Sequence, residues 1–171
     1  MSARLTRITA QRPSRLSKAF WLEGDHLKAA PGGFLTRGRA EIQEVATLNE
    51  LASLLASLTP AQALTYGIPR SGDAGIMTAK TYERAGRPAG WTARTNAEFA
   101  WPDGAGVMML DYDPADGQAP LDRDRLLIEI VRAVPGLADA AWLWWPSASS
   151  CIWHGDTELR GLVGVGGGLV E

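Results

Sequence analysis

Cysteine, histidine and long apolar runs are scarce in this chain, and each shortage excludes a class of protein. Cys151 is the single cysteine, so no internal disulfide can form, which fits a reducing cytoplasm. One Cys and two His also argue against a zinc site. The longest stretch of glycine and apolar residues, 161–170, falls well short of the ~20 residues of a membrane-spanning helix. The basic N-terminus lacks the apolar core of a signal peptide, so we expect a cytoplasmic protein with no membrane partner.

The rest of the composition is ordinary for a globular protein, but the charge is unevenly spread. The 171 residues are 46% hydrophobic and 21% charged, and this length predicts one domain. Residues 1–40 hold eight Lys or Arg and two acids, a net +6, which leaves −8 for the remainder of a chain whose net charge is −2. In residues 1–17 arginines alternate with small residues, which predicts a loosely held basic arm ahead of a domain at 18–171. Such an arm either contacts nucleic-acid phosphates or is simply solvated.

Apolar residues recur with helical spacing in some segments and alternate in others, which predicts an α/β (α+β) fold in which helices pack on a mixed sheet. Thr47-Leu48-Asn49-Glu50 is a capping box that should open a helix ending before Pro60. Apolar residues from 126 to 134 predict an amphipathic helix that begins near Asp122 or Asp124. A short helix is expected at 78–85. Strands are expected at 39–45, 63–68, 107–112 and 140–145, with hairpin turns at 24–25 and 154–157.

The most distinctive stretch is the apolar run 107–110 (VMML), which is followed by Asp111, Tyr112, Asp113 and Pro114. Four consecutive apolar residues predict a strand buried on both faces. Because side chains alternate along a strand, Asp111 and Asp113 should leave the same side of the sheet, about 7 Å apart. Two desolvated like charges need a compensating cation, and hard carboxylate oxygens suit Mg²⁺ or Mn²⁺. Pro114 then ends the strand and leaves the pair at the edge of the sheet.

Several interpretations of this Asp-x-Asp pair compete. It could be no more than a polar strand end before a turn. A calcium loop of the EF-hand type needs an acid at its fifth position and glycine at its sixth, whereas Ala115 is fifth here and Gly117 comes one residue late. Phosphatases with an aspartyl nucleophile continue to a threonine that Ala115 does not supply. Metal-dependent chemistry on a nucleoside triphosphate or a nucleotide sugar has no such mismatch.

Two further features offer contacts to nucleotides or nucleic acid. Arg94 lies among polar residues, where it could bind phosphate through its planar fork or pair with Glu98 or Asp103 at the surface. The tryptophans at 142, 144 and 145 could stack bases, although core packing or an aromatic lid is the simpler interpretation. The glycine-rich segment 164–168 does not predict a phosphate loop, because neither a helix nor Gly-Lys-Ser/Thr follows it.

Five segments in one order resemble a known family. They are LTYGIPR (64–70), TART (92–95), FAWP (99–102), VMMLDYDP (107–114) and PSASS (146–150). Together they are similar to the N-terminal primase-polymerase region of phage and plasmid replication proteins, in the archaeo-eukaryotic primase superfamily, over roughly residues 18–163. The resemblance implies an RRM-like palm fold in which Asp111 and Asp113 are catalytic residues that bind Mg²⁺ or Mn²⁺.

The same resemblance implies substrates and a function. Arg94, Ser149 and Ser150 would contact the nucleotide, the partners would be nucleoside triphosphates, a single-stranded DNA template and a replicative helicase, and the reaction would be metal-dependent nucleotidyl transfer in plasmid or phage DNA replication. The histidine motif of the family and its third acid have no counterpart after Gly168. We therefore expect a chain that is incomplete at its C-terminus and impaired as an enzyme on its own. The alternatives are a non-catalytic nucleic-acid-binding or replication-assembly module and a metal-dependent glycosyltransferase.

Overall fold

The fold is α+β, and its largest element is a five-stranded mixed sheet. The computed structural model describes residues 2–104, 106–112 and 121–145, together with the backbone of 152–154, 157–159, 163–166 and 169–170. The chain divides into two compact units, Met1–Gly106 and Val107–Val170, where the sequence suggested a single domain from residue 18 onwards. The predicted class, a mixed sheet with helices, is therefore confirmed at this coarse level.

The first unit contains the five-stranded sheet, two helices and two smaller strand pairs. Its strands are β1 (Ala3–Arg12), β2 (Ala19–Glu23), β3 (His26–Ala30), β4 (Arg37–Val45), β5 (Gln62–Thr65), β6 (Ile68–Pro69), β7 (Ala74–Met77), β8 (Trp91–Ala93) and β9 (Phe99–Ala100), and its helices are α1 (Leu48–Ser57) and α2 (Ala79–Arg84). The sheet order is β5-β1-β4-β7-β8. Neighbouring strands are antiparallel except for the parallel pair of β7 and β8. Strands β2 and β3 form the predicted hairpin, and β6 pairs with β9.

The prediction of a loosely held arm at 1–17 was wrong, because residues 3–12 form β1 in the interior of the sheet. β1 pairs along most of its length with β4 and also with β5. Ala3, Leu5 and Thr6 are buried in this strand, and Arg7 extends across the sheet to an acid of β4. The arginines masked an alternating pattern of small and β-branched residues that suits a strand with partners on both sides.

The two faces of the sheet are covered differently. Paired residues share a face and successive residues alternate, so Ile8, Ala40 and Ile76 lie together on one face and pack with Leu35. The opposite face is apolar near Leu5, which is 2% exposed. Charged residues occupy the centre of that opposite face.

The helices of the first unit begin where their caps predict. The hydroxyl of Thr47 accepts a hydrogen bond from the backbone N–H of Glu50 at 3.1 Å, and the Glu50 carboxylate accepts one from the N–H of Ala46 at 2.7 Å. Thr78 caps α2 in the same way through the N–H of Thr81. Side-chain oxygens thus satisfy N–H groups that a helix start leaves without a partner. No helix in the described ranges is long and apolar enough to cross a bilayer.

The second unit contains one longer helix and several short strands. Its elements are β10 (Gly106–Val107, at the junction of the units), β11 (Leu110–Tyr112), α3 (Arg123–Ala133), a single 3-10 turn (Pro135–Leu137), β12 (Leu143–Trp144), β13 (Ile152–His154), β14 (Thr157–Leu159), β15 (Val163–Gly166) and β16 (Leu169–Val170). The predicted helix α3 is confirmed, and Asp122 is its cap. His154 pairs with Thr157, as the predicted hairpin requires, and Gly155 and Asp156 lie outside the described residues.

Two strands of the second unit are shorter than predicted. The segment 107–112 is not one strand buried on both faces, because Met108 and Met109 separate β10 from β11 and are 38% and 57% exposed. The two pieces have different partners, β16 and β15, so the hydrogen-bond ladder is interrupted between them. The segment 140–145 contributes only Leu143–Trp144 as a strand, and these two residues are half-buried.

Candidate functional site

A cleft of about 770 Å³ opens on the apolar face of the five-stranded sheet in the first unit. Ile8 and Ile76 line it, and they lie on adjoining parts of the same sheet face. Its walls come from the connections 65–67, 94–96 and 99–101, which follow or include the ends of strands. The volume lies within the range of about 300–1,000 Å³ that small-molecule sites usually have.

One wall of the cleft is held in place by the pairing of β6 with β9. The hydroxyl of Thr6, which is fully buried, donates a hydrogen bond of 2.7 Å to the carbonyl oxygen of Gly67. A Cβ atom at Gly67 would lie 3.1 Å from the Cβ of Phe99. Glycine at position 67 therefore lets the two segments approach each other, and the sheet fixes both of them.

Two arginines line the cleft. The Nε of Arg70 donates to the carbonyl oxygen of Ala97 at 3.0 Å, and its backbone N–H donates to the carbonyl oxygen of Glu98 at 2.9 Å. The backbone N–H of Arg94 donates to the carbonyl oxygen of Met77 at 2.8 Å, which continues the pairing of β8 with β7 beyond the strand end. Both side chains are exposed to solvent.

The surface pairing that was one of the two alternatives for Arg94 does not form in the described part of the chain. Glu98 and Asp103 are both described, and neither makes an ion pair with Arg94 there. Arg94 is held by its backbone and its guanidinium lines the cleft. A guanidinium in such a position can present its planar fork to a phosphate or a carboxylate.

An aromatic pair forms another part of the wall. The rings of Tyr66 and Trp101 are stacked, with centroids 6.0 Å apart and planes 13° from parallel. Trp101 is 75% exposed, and Tyr66 is half-buried, so burial raises the pKa of the Tyr66 hydroxyl above its usual value. An exposed indole that is already ordered by a stacked neighbour offers a flat apolar surface to a second ring.

The chemistry of this cleft is that of binding. Its described lining residues include two arginines, three aromatic rings and Asn96, and they include no Asp, Glu, His or Cys. Such a lining attracts an anion that carries a flat ring system.

The predicted metal ligands belong to the second unit, and only one of them is described. Asp111 lies in β11 opposite Gly164 of β15 and is exposed to solvent. Asp113 lies outside the described residues, as do Ser149 and Ser150. Within the described ranges no three carboxylate, histidine or cysteine side chains come together as a metal site. One exposed carboxylate does not by itself build a centre for Mg²⁺ or Mn²⁺.

Sequence reasoning assigned Arg94 to nucleotide contact but left out its neighbours in the cleft. Arg70, Tyr66 and Trp101 belong to the LTYGIPR and FAWP segments, and the sequence alone predicted no individual role for them. The available signal was the arginine in a turn-rich loop directly after β6, together with two aromatic residues that flank the β6–β9 pair. Their convergence depends on that pairing, which the order of residues along the chain does not reveal.

Comparison with known proteins found no relative of this chain: no family model, no curated protein and no solved structure matches it.

Proposed function

We propose that the cleft of the first unit binds a nucleoside triphosphate and that the protein takes part in metal-dependent nucleotidyl transfer in plasmid or phage DNA replication. The observation that carries this proposal is the meeting of Arg70 and Arg94 with the stacked pair of Tyr66 and Trp101 in one cleft. A nucleotide is the common ligand that combines a flat base with a multiply charged phosphate chain. The resemblance to the primase-polymerase region points to the same class of ligand.

The aromatic pair supports a stacking role for the base. The Trp101 indole is three-quarters exposed, so a ligand ring can cover it and bury its apolar surface. Stacking of a base on an aromatic side chain is worth about 1–3 kcal/mol and tolerates any base. A template-directed enzyme needs this tolerance, because base pairing and not the pocket must select the nucleotide.

The arginines support a phosphate role. Arg94 has a backbone fixed by the sheet and a guanidinium free of ion pairs among the described residues, so its charge is available to a ligand. Arg70 has its Nε bound to Ala97, which orients the guanidinium and lowers the entropy lost on binding. Charge-assisted hydrogen bonds of this kind to phosphate oxygens are stronger than neutral ones.

Binding at the cleft is tested with a deoxynucleoside triphosphate in EDTA, so that no divalent metal contributes. We expect Trp101→Ala to raise the dissociation constant roughly tenfold, which corresponds to the loss of one stacked base. Trp21→Ala is the matched control, because Trp21 is 48% exposed on the β2–β3 hairpin and does not line the cleft. Isothermal titration calorimetry gives both constants. Equal dissociation constants for the two variants would show that the base does not bind in this cleft.

The second unit holds the proposed metal ligands. We propose Asp111 and Asp113 for this role, because carboxylates two residues apart in the sequence offer the hard oxygen ligands that suit Mg²⁺ or Mn²⁺. Arg70 and Arg94 bind and orient the triphosphate, and they need no metal to do so. Ser149 and Ser150 remain proposed nucleotide contacts.

The metal proposal has a test that does not depend on catalysis. Mn²⁺ at a hundredfold excess over its dissociation constant should stabilise the wild type by about 2.7 kcal/mol and raise its melting temperature. We expect no such rise for Asp111→Asn/Asp113→Asn. The double variant Glu129→Gln/Asp139→Asn removes two exposed charges of the same unit and should keep the full response. A rise in melting temperature of equal size in all three proteins would show that Asp111 and Asp113 do not form the metal site.

A further inference from the structure

The sheet face opposite the cleft has a charged centre. We define the basic sheet face by the side chains of Arg7, Arg37, Arg39, Glu41 and Trp91. Residues 37, 39 and 41 alternate along β4 and so share one face, and Arg7 is paired with Glu41 across β1 and β4. Trp91 is paired with Gly75, which is paired with Arg39, so it belongs to the same face. Ile8 and Ile76, which line the cleft, alternate with these residues and lie on the other face.

One carboxylate on this face forms ion pairs with two guanidinium groups. The Glu41 carboxylate lies 3.2 Å from an Nη of Arg7 and 3.4 Å from the Nε of Arg39. Its side chain is 28% exposed, that of Arg7 is 30% exposed, and that of Arg39 is 59% exposed. Three arginines against one glutamate give these five side chains a net charge of +2, and the Asp73 carboxylate, which accepts a hydrogen bond from the N–H of Ile42 next to Glu41, reduces the local excess.

The third arginine is held by an aromatic ring. The guanidinium carbon of Arg37 lies 4.5 Å from the centroid of the Trp91 ring, which is a cation–π contact. The Trp91 ring itself lies directly over Gly75, where a Cβ would be 2.5 Å from the ring. Arg37 is thereby held against the sheet while its guanidinium remains exposed to solvent.

Arg7 has donor capacity that the described protein does not use. Its Nε is buried and has no hydrogen-bond partner among the described residues. A buried donor without a partner costs about 1–3 kcal/mol. Because that Nε is enclosed, a ligand at this face reaches only the exposed part of the Arg7 side chain, which is 30% of it.

We propose that the basic sheet face binds the sugar–phosphate backbone of a single nucleic-acid strand. Arg37 and Arg39 are about 7 Å apart along β4, a spacing similar to that of successive phosphates in an extended strand. Guanidinium forks match phosphate oxygens, and a polymer can reach the partly covered Arg7, which a flat lipid surface cannot do. The surface is separate from the cleft, and the proposal does not depend on nucleotide binding there.

The first test removes the two exposed arginines of the face. Arg37→Gln/Arg39→Gln should weaken binding of a short fluorescein-labelled oligothymidylate roughly tenfold in fluorescence anisotropy and should lower the salt dependence of log K by about 1.4. The control Arg123→Gln/Arg132→Gln removes the same charge from exposed positions on α3 and should leave both values unchanged. Equal weakening in both double variants, or in neither, would overturn the proposal. Circular dichroism checks that each variant is folded.

A second variant excludes loss of structure as the explanation. Glu41→Gln keeps the size of the side chain and removes the one negative charge that competes with phosphate for Arg7 and Arg39. It should tighten oligothymidylate binding several-fold at low salt, an effect that misfolding cannot produce. Weaker binding by Glu41→Gln would overturn the proposal. The proposal would also be overturned if these variants changed binding to vesicles of phosphatidylserine and phosphatidylcholine and left oligothymidylate binding unchanged.

Discussion

Replacing Gly38 by alanine is expected to lower the free energy of unfolding of the first unit by about 3 kcal/mol. Gly38 is buried in β4, between Ala10 of β1 and Ile76 of β7. A Cβ atom at this position would meet the backbone carbonyl oxygen of Thr9 at less than van der Waals distance, and it would lie 3.1 Å from the Cδ1 of Leu35. The methyl group therefore cannot be accommodated by turning a side chain.

The loss of stability arises from disturbance of the pairing between β1 and β4. The Thr9 carbonyl belongs to β1, the neighbour of β4, and the register of the two strands shifts at the irregularity between Ala10 and Arg12. To admit a methyl group, β1 and β4 must separate locally, which weakens ladder hydrogen bonds and opens the apolar cluster beneath them. For a chain of this size, about 3 kcal/mol corresponds to a fall in melting temperature of roughly 10 °C.

Urea denaturation followed by tryptophan fluorescence measures this loss. Gly136→Ala is the control, since a Cβ there would meet no atom within 4 Å and the backbone does not require glycine. It should change stability by less than about 0.5 kcal/mol. If Gly38→Ala were as stable as the control, the close approach of β1 to β4 at this point would be refuted.

Features encoded locally were predicted well from the sequence. The start of α1 at Thr47 and the start of α3 at Asp122 follow from capping hydrogen bonds that reach three residues along the chain. The β2–β3 hairpin follows from Gly24, whose φ of +61° suits the tight turn. In each of these cases the residues that decide the structure are near neighbours, so the pattern alone is sufficient.

Features that depend on distant partners were not predicted. Arg7 can occupy an interior strand because it forms an ion pair with Glu41, but these two residues are 34 positions apart in the sequence. The sequence around Arg7 therefore resembled a solvated arm. In the same way, the apolar run 107–110 suggested one buried strand, and the change of pairing partner from β16 to β15 divides it. Neither partner can be identified from local composition.

The residues of the cleft were predicted only in part. Arg94 was singled out from its residue type and polar surroundings, and it does line the cleft. Tyr66, Arg70 and Trp101 reach the same cleft only because β6 pairs with β9, a contact between segments about thirty residues apart. A single candidate residue could thus be singled out from the sequence, whereas the grouping of residues required the topology of the sheet.

Arg94→Ala is expected to weaken deoxynucleoside triphosphate binding by about 2 kcal/mol, a roughly thirtyfold rise in the dissociation constant. The reason is that the Arg94 guanidinium makes no ion pair among the described residues, so all its donors are open to phosphate, whereas the Nε of Arg70 already donates to Ala97. The same variant should bind the uncharged nucleoside as well as the wild type does, because stacking on Trp101 is unaffected. This split between triphosphate and nucleoside separates a phosphate contact from damage to the fold.

Two further variants complete the measurement by isothermal titration calorimetry. Arg94→Lys keeps the charge but loses the planar fork, and we expect an intermediate affinity because a point charge replaces paired hydrogen bonds. Arg84→Ala removes one exposed positive charge from α2 and should leave the affinity within a factor of two of the wild type, since long-range attraction is screened at physiological salt. If Arg84→Ala weakened binding as much as Arg94→Ala did, the effect would be one of overall charge, and Arg94 would not be a direct phosphate contact.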